Sequence, residues 1–320
     1  MSRAVPPRSV ARSPERLVQA GGLTLCCQTF GVPQHPALLL IMGMGAQMVG
    51  WDDDFCVQLA QRGFHVVRFD NRDAGRSTRF DDAGTPDVAS AMMRAWMRLP
   101  VPAPYLLRDM AHDAVGLLDA LGIARAHLVG ASMGGAIAQL LAVHHRERVL
   151  SLTSIMSTTG ARDLPAPDAT AMNALFRPTP LELAAYTEHY LKTWRVMRGG
   201  AFPEEDERDR ARAACNHARG LNPAGAARQL AAILASGSRR EALRGVSVPA
   251  LVVHGDADPL VPLAAGVDTA RSIPGARLLV LEGMGHSLPL RMWPRIVDGI
   301  AEIAGIAGIA GGPAGAGPRR

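Results

Sequence analysis

The residues of this chain best suited to chemistry are Gly130-Ala131-Ser132-Met133-Gly134. The run Ala126–Val129 before them reads as a short strand, and Gly134–His144 after them as an apolar helix. A serine at a sharp strand-to-helix turn is forced into a strained backbone conformation, and the positions two before and two after it have room for almost no side chain. Such a turn lifts the hydroxyl above the sheet, and the start of the helix favours negative charge developing beside it. The chemistry implied is nucleophilic attack, for which a serine hydroxyl needs a base within hydrogen-bond reach.

Ten histidines compete for that role. His35 lies in a Pro-flanked loop, His65 begins a strand, His127 lies within one and His254 ends one. His112, His144, His145, His189 and His217 fall in helical stretches, where a surface or satisfied core role is the simpler reading. His286 stands apart: Gly283-Met284-Gly285-His286-Ser287 is a flexible turn directly after a strand and carries it to the same sheet edge as Ser132. An imidazole base needs a carboxylate to fix its tautomer and stabilise its charged form. Gly255-Asp256-Ala257-Asp258-Pro259, after the strand Ala250–His254, offers two. Asp258 is preferred, because Asp256 is closer to the strand and better placed to cap the turn. The chain order Ser132, Asp258, His286 belongs to one specific fold. A tetrahedral intermediate also needs amide donors. Ile41-Met42-Gly43-Met44-Gly45 follows a buried strand, so the backbone N–H groups of Met44 and Met133 form the natural oxyanion pair. No nucleotide-binding glycine pattern is present.

The elements that must hold these groups alternate. Strands are predicted at Leu23–Phe30, Ala37–Met42, His65–Phe69, Ala126–Val129, Val149–Met156, Ala250–His254 and Arg277–Leu281. Helices are predicted at Phe55–Arg62, Leu107–Leu121, Gly134–His144, Leu263–Ile273 and Trp293–Ile303. This alternation implies an α/β fold with a mostly parallel sheet covered on both faces. The stretch from about Arg162 to Arg240 breaks the rhythm with helical material and no clear strand, and reads as an insertion. The expected organisation is a core of residues 17–161 and 241–304, a helical cap of 162–240, and disordered tails at 1–16 and 305–320, the latter rich in Gly and Ala.

Composition narrows the function. Hydrophobic residues make up 48% and charged residues 20% of 320 residues, as expected of a globular protein. The net charge of +5 does not mark a nucleic-acid partner: Lys192 is the one lysine among 34 basic residues, the arginines are scattered, and aromatics are only 4%. No apolar run is long enough to span a membrane. Cys26, Cys27, Cys56 and Cys215 form neither a disulfide framework nor a metal pattern, so no metal or cofactor is expected and a cytoplasmic location is the default reading.

With these residues in view, the chain is identified as a member of the α/β-hydrolase superfamily, over about Leu23–Thr158 and Arg244–Ile303. Asp70-Asn71-Arg72-Asp73-Ala74-Gly75-Arg76-Ser77 resembles the family's structural D-x-R-G-x-G-x-S turn, with Asp73 where glycine is usual. The phrases IMGMGAQMVGW, FDNRDAGRST, LVGASMGG and GMGHSLP are most similar to the branch containing aclacinomycin methylesterase, whose members remove a methyl ester from a polyketide. The family's oxyanion turn usually begins His-Gly. Met42 takes that histidine's place here, so the turn must be held by other hydrogen bonds.

The resemblance implies an α/β-hydrolase fold with a helical cap, and a serine esterase acting on small to medium, partly apolar esters through Ser132, His286 and Asp258. The same triad serves lactonases, carbon–carbon hydrolases and cofactor-free haloperoxidases, and the fold also hosts non-catalytic ligand binders. A serine rather than an aspartate at the elbow disfavours epoxide and haloalkane cleavage. Substrate preference should lie in the cap, with Met48, Trp51, Phe176, Tyr190 and Trp194 as the expected pocket wall and Met172, Leu175, Tyr186 and Met197 as further apolar candidates. Glu204–Glu207 with Arg208, Arg210 and Arg212 reads as a solvated helix start without a binding role. The expected partner is a small-molecule ester, and the sequence is silent on oligomeric state.

Overall fold

Strands β3 (Ala37–Ile41), β4 (His65–Phe69), β5 (Ala126–Ala131) and β7 (Ala250–Gly255) are buried at every residue. Apolar runs of this kind find partners for their backbone and both side-chain faces only in the middle of a covered sheet. A computed structural model, which describes residues 10–202 and 205–305, places them there. The remaining strands are β1 (Arg16–Ala20), β2 (Leu23–Phe30), β6 (Val149–Ile155) and β8 (Arg277–Leu281). The sheet order is β1-β2-β4-β3-β5-β6-β7-β8. β2 runs antiparallel to both β1 and β4, and all pairings from β4 to β8 are parallel.

Alternation along β3 divides the core into two layers. Leu39 and Ile41 join the apolar cluster with α3 (Leu107–Ala120) and α4 (Met133–His144). Leu38 and Leu40 join the opposite cluster, which holds Phe55 of α1 (Asp53–Gln61) and Trp293 and Ile296 of α11 (Trp293–Ile303). A further helix, α10 (Leu263–Ser272), follows β7.

Two elements lie outside the sequence expectation. β1 is a half-exposed edge strand without an apolar run, and α2 (Val88–Trp96) buries only Ala91. The chain is also ordered before residue 17, contrary to the expected tail of 1–16. Arg12 bridges to Phe30, Ser13 donates its N–H to Thr29 at 2.9 Å, and Glu15 accepts a hydrogen bond from Arg76 at 2.9 Å. Residues 1–9 of that tail, and 306–320 of the other, lie outside the described residues.

Between β6 and β7 the described chain contains helices but no strand: α5 (Ala169–Leu175), α6 (Leu183–Met197), α7 (Asp206–Arg219), α8 (Pro223–Ser236) and the short α9 (Arg240–Leu243). The starts of α5, α6 and α8 are set by side chains that satisfy free first-turn N–H groups. Asp168 accepts from Thr170 and Ala171, Glu182 from Ala184 and Ala185, and Asn222 from Gly225 ahead of a proline-opened first turn. No described helix is long and apolar enough to cross a membrane.

Candidate active site

The elbow between β5 and α4 holds Ser132 at φ 55° and ψ −121°, a left-handed conformation that costs free energy for any residue with a side chain. Crowding explains the flanking glycines. A Cβ on Gly130 would lie 2.1 Å from the Gly134 carbonyl oxygen, and a Cβ on Gly134 would lie 2.0 Å from that of Ile41. The strained turn is locked from below. The Ser132 N–H donates to Ile155 O at 2.9 Å, and the Ser157 hydroxyl donates to Ser132 O at 2.8 Å.

His286 and Asp258 come to this point from the loops after β8 and β7. His286 Nε2 lies 3.0 Å from Ser132 Oγ, and His286 Nδ1 lies 2.8 Å from Asp258 Oδ2. Both side chains are buried. Asp258 Oδ1 accepts the N–H groups of Leu260 and Val261 at 2.9 and 2.8 Å, which leaves Oδ2 to accept from the imidazole. The proton therefore sits on Nδ1, and Nε2 turns its lone pair to the serine hydroxyl. The second acid serves the loop instead, since Asp256 Oδ1 accepts the Gly283 N–H at 2.7 Å and does not meet His286. His254 comes within 3.7 Å of Asp258 Oδ2. Its Nε2–H donates to Val261 O at 2.7 Å, and burial pushes its pKa below the ordinary histidine value.

The turn after β3 lies over the serine: a Cβ on Gly43 would be 3.2 Å from Ser132 Cβ. Met133 opens α4, so its N–H is one of those the helix cannot itself satisfy. The Met44 N–H has no acceptor among the described residues. In place of a histidine at Met42, the turn is held by three other bonds. Asn71 Nδ2 donates to Met42 O at 3.0 Å, the Ala46 N–H donates to Gly43 O at 3.3 Å, and the Gly45 N–H donates to Gln229 Oε1 at 2.7 Å.

Above this rim is a cavity of about 280 Å³, lined mainly by apolar atoms from the rim and from the segment that carries α5–α8. Of the expected pocket residues, Tyr190 and Trp194 line it, along with Met44, Leu175, Tyr186 and Met197. Met48, Trp51 and Phe176 do not, and neither does Met172. Met48 and Trp51 are fully buried because the short turn Met48–Gly50 directs the chain into the core, where Trp51 stacks on Phe55 at 5.6 Å. Phe176 is half-buried at the end of α5, past the point where Leu175 reaches the cavity.

Arg208 and Arg212 correct the expectation of a solvated helix. Both line the cavity, and both donate to Asp52 Oδ2 at 2.6 Å. Burial pushes Asp52 up, but Arg212 and Arg208 outweigh it and hold the carboxyl below the usual range. His189, read from sequence as a surface or core residue, also lines the cavity. A helical pattern identifies its position on α6 but not which wall of the cap faces the rim. All four cysteines are free thiols, and among the described residues no cluster of His, Cys, Asp or Glu could hold a metal ion.

The fold is that of the α/β hydrolases. The chain belongs to that family: its sequence matches the α/β hydrolase fold over residues 36–290. It is 31% identical to rhodomycin D methylesterase DnrP of Streptomyces peucetius over 87% of this chain and 93% of that protein. It is 27% identical to 3-oxoadipate enol-lactonase 2 of Acinetobacter baylyi over 79% of this chain and 83% of that protein. Among solved structures it resembles a hydrolase from Pseudomonas aeruginosa PA01, with a TM-score of 0.66, 25% identity, and coverage of 91% of this chain and 98% of that one.

Proposed function

We propose that this chain is a serine esterase that cleaves carboxylic esters of small to medium, partly apolar substrates through an acyl-enzyme. One observation carries the reading: a strained serine on the cavity floor is linked by hydrogen bonds of 3.0 and 2.8 Å, through His286, to a buried carboxylate. Ser132 Oγ attacks the ester carbonyl as His286 Nε2 takes its proton. Asp258 holds the imidazolium so formed. The carbonyl oxygen, now negative, is received by the N–H groups of Met44 and Met133. His286 returns the proton to the leaving alcohol, and water activated by the same nitrogen releases the acid. Membership of the hydrolase family and the likeness to a methylesterase support ester hydrolysis over other uses of the fold.

The test is a panel of esters, methyl esters included, and lactones, run with wild type and Ser132→Ala side by side. Ser132→Ala is expected to lose about 10³-fold or more of the turnover, because the three groups act as a unit. A fluorophosphonate should label wild type and not the variant. Equal turnover by the two proteins would remove Ser132 as nucleophile. Lactone turnover without ester turnover would favour the lactonase reading.

A further inference from the structure

The turn that carries Met44 does not stand alone. It is gripped from the cap by Gln229 on α8. The Gln229 side chain is completely buried. Its carbonyl oxygen accepts the Gly45 N–H at 2.7 Å, and its amide donates to Arg72 O at 2.7 Å. The orientation of a glutamine amide is fixed by such a pair of opposite demands, since one end must accept and the other donate. Gly45 has φ +67°, and a Cβ on it would sit 3.2 Å from Ala226 Cβ, so the turn rests against the same helix.

The peptide units on both sides of Met44 are thereby pinned. The unit before it is held through Gly43 O by the Ala46 N–H, and the unit after it through the Gly45 N–H by Gln229. Without the second anchor, the Met44–Gly45 peptide is free to rotate and to carry Ala46 away from Gly43 O, and the Gly43–Met44 plane that bears the Met44 N–H then loses its 3.3 Å restraint. α8 is itself fixed to the core next to Gln229. Arg228 Nη2 donates to Asp73 Oδ1 at 2.6 Å, and Asn222 Nδ2 donates to Asp73 O at 3.1 Å.

We propose that Gln229 is a positioning residue for the oxyanion-binding turn, so that a helix of the cap completes the catalytic rim. This rests on the serine-esterase reading. Gln229 touches no reacting atom. It acts by holding Gly45, and so fixes where the Met44 N–H points when charge develops on the carbonyl oxygen. Preorganised donors of this kind act on the transition state and not on the bound substrate.

Gln229→Met keeps the length of the side chain and removes both hydrogen bonds. It is expected to lower kcat on p-nitrophenyl acetate about 10- to 100-fold while KM changes by less than about threefold. Affinity for a trifluoromethyl ketone analogue should fall by the same factor as kcat/KM, and inhibition by acetate should be unchanged. Gln229→Glu supplies the rescue. Its protonated form can accept from Gly45 and donate to Arg72 O, whereas its carboxylate sets an oxygen against Arg72 O, and that repulsion draws the side chain away from the position in which it meets the Gly45 N–H. It should therefore exceed Gln229→Met at low pH and lose that advantage as pH rises. Thermal melting establishes that each variant is folded. If Gln229→Met fails to fold, the pH-dependent loss of kcat in Gln229→Glu relative to wild type carries the test. A folded Gln229→Met with wild-type kcat, a loss confined to KM, or a Gln229→Glu profile parallel to that of wild type would overturn the proposal. Wild type that turns over no ester and takes no fluorophosphonate would instead remove the esterase reading on which it rests.

Discussion

Replacing Asp258 with asparagine exchanges one oxygen for an amide nitrogen and should nearly abolish turnover. Asp258 Oδ1 accepts the backbone N–H groups of Leu260 and Val261 at 2.9 and 2.8 Å. An asparagine here has to direct its carbonyl to those two donors, because the opposite orientation sets its NH₂ against both. The NH₂ then occupies the place of Oδ2, 2.8 Å from His286 Nδ1. An NH₂ only donates here, so Nδ1 must be bare and the ring proton moves to Nε2. Nε2–H then faces Ser132 Oγ at 3.0 Å and cannot take its proton. An inverted tautomer with intact geometry lowers kcat about 10⁴-fold in serine proteases, which at about 1.36 kcal/mol per tenfold is a barrier increase of about 5 kcal/mol. Asp256→Asn is the control. Its carbonyl can still accept the Gly283 N–H, so kcat should stay within about twofold of wild type, as for a surface change away from any buried network. The assay is steady-state hydrolysis of p-nitrophenyl acetate, with thermal melts to show that both variants are folded. A folded Asp258→Asn that keeps more than about a tenth of wild-type kcat would refute the tautomer argument, and greater damage from Asp256→Asn would move the acid to that residue.

Two further predictions concern stability. Arg228 is buried against Asp73, and Arg228→Met leaves that carboxylate buried without its cation; urea denaturation should show a loss of about 3–5 kcal/mol, and a loss under about 1 kcal/mol would contradict it. Burial, with help from Arg125, pushes His127 down from 6.5 to about 4. The folded state therefore favours the neutral ring, and its contribution is complete above pH 6.5 and lost as pH falls from 6.5 to about 4. Between about pH 7.5 and pH 5 this group alone should cost about 2 kcal/mol of stability. His127→Gln should flatten the urea-midpoint profile in that window, and an identical profile in wild type and variant would rule the histidine out.

Local chemistry is legible from sequence, and long-range packing is not. The elbow can be read because crowding around Ser132 leaves glycine as the residue that fits at 130 and 134, whatever the rest of the chain does. The fully buried strands can be read because a run such as ALLLI has no other use. Nothing in the sequence marks β1, whose half-exposed five residues carry neither a run nor a clean alternation. Arg208 and Arg212 defeat a pattern-based reading because a charged helical stripe looks the same whether it meets water or the carboxylate of Asp52 far earlier in the chain. Met48 and Trp51 suggest a pocket wall because they follow the oxyanion turn closely. The turn Met48–Gly50 instead leaves both of them buried in the core, and spacing alone does not encode that.

Four arginines of α7 and α8 pair with carboxylates earlier in the chain: Arg208 and Arg212 with Asp52, Arg219 with Asp70 and Glu15, and Arg228 with Asp73 and Asp81. Such pairs add little net stability, since each charge must first leave water. Their effect is on register, because a buried guanidinium displaced from its carboxylate by even one helical turn is left uncompensated. The two aspartates in the turn at 70–78 each hold both partners at once. Asp70 accepts the Met48 N–H at 2.7 Å as well as Arg219, and Asp73 accepts the Phe80 N–H at 2.9 Å as well as Arg228. The position where this chain carries Asp73 in place of glycine has φ 65°, and the strain of that conformation is offset by the arginine, the Tyr105 hydroxyl and the backbone donor it collects. At the other edge of the rim, the His286 N–H donates to Met197 O at 2.7 Å, and a Cβ on Gly285 would lie 2.3 Å from that same oxygen. The C-terminus of α6 thus seats the histidine loop, while α8 seats the oxyanion turn. A hinged movement of α6 and α8 away from the sheet would therefore have to break the His286–Met197 and Gly45–Gln229 hydrogen bonds together.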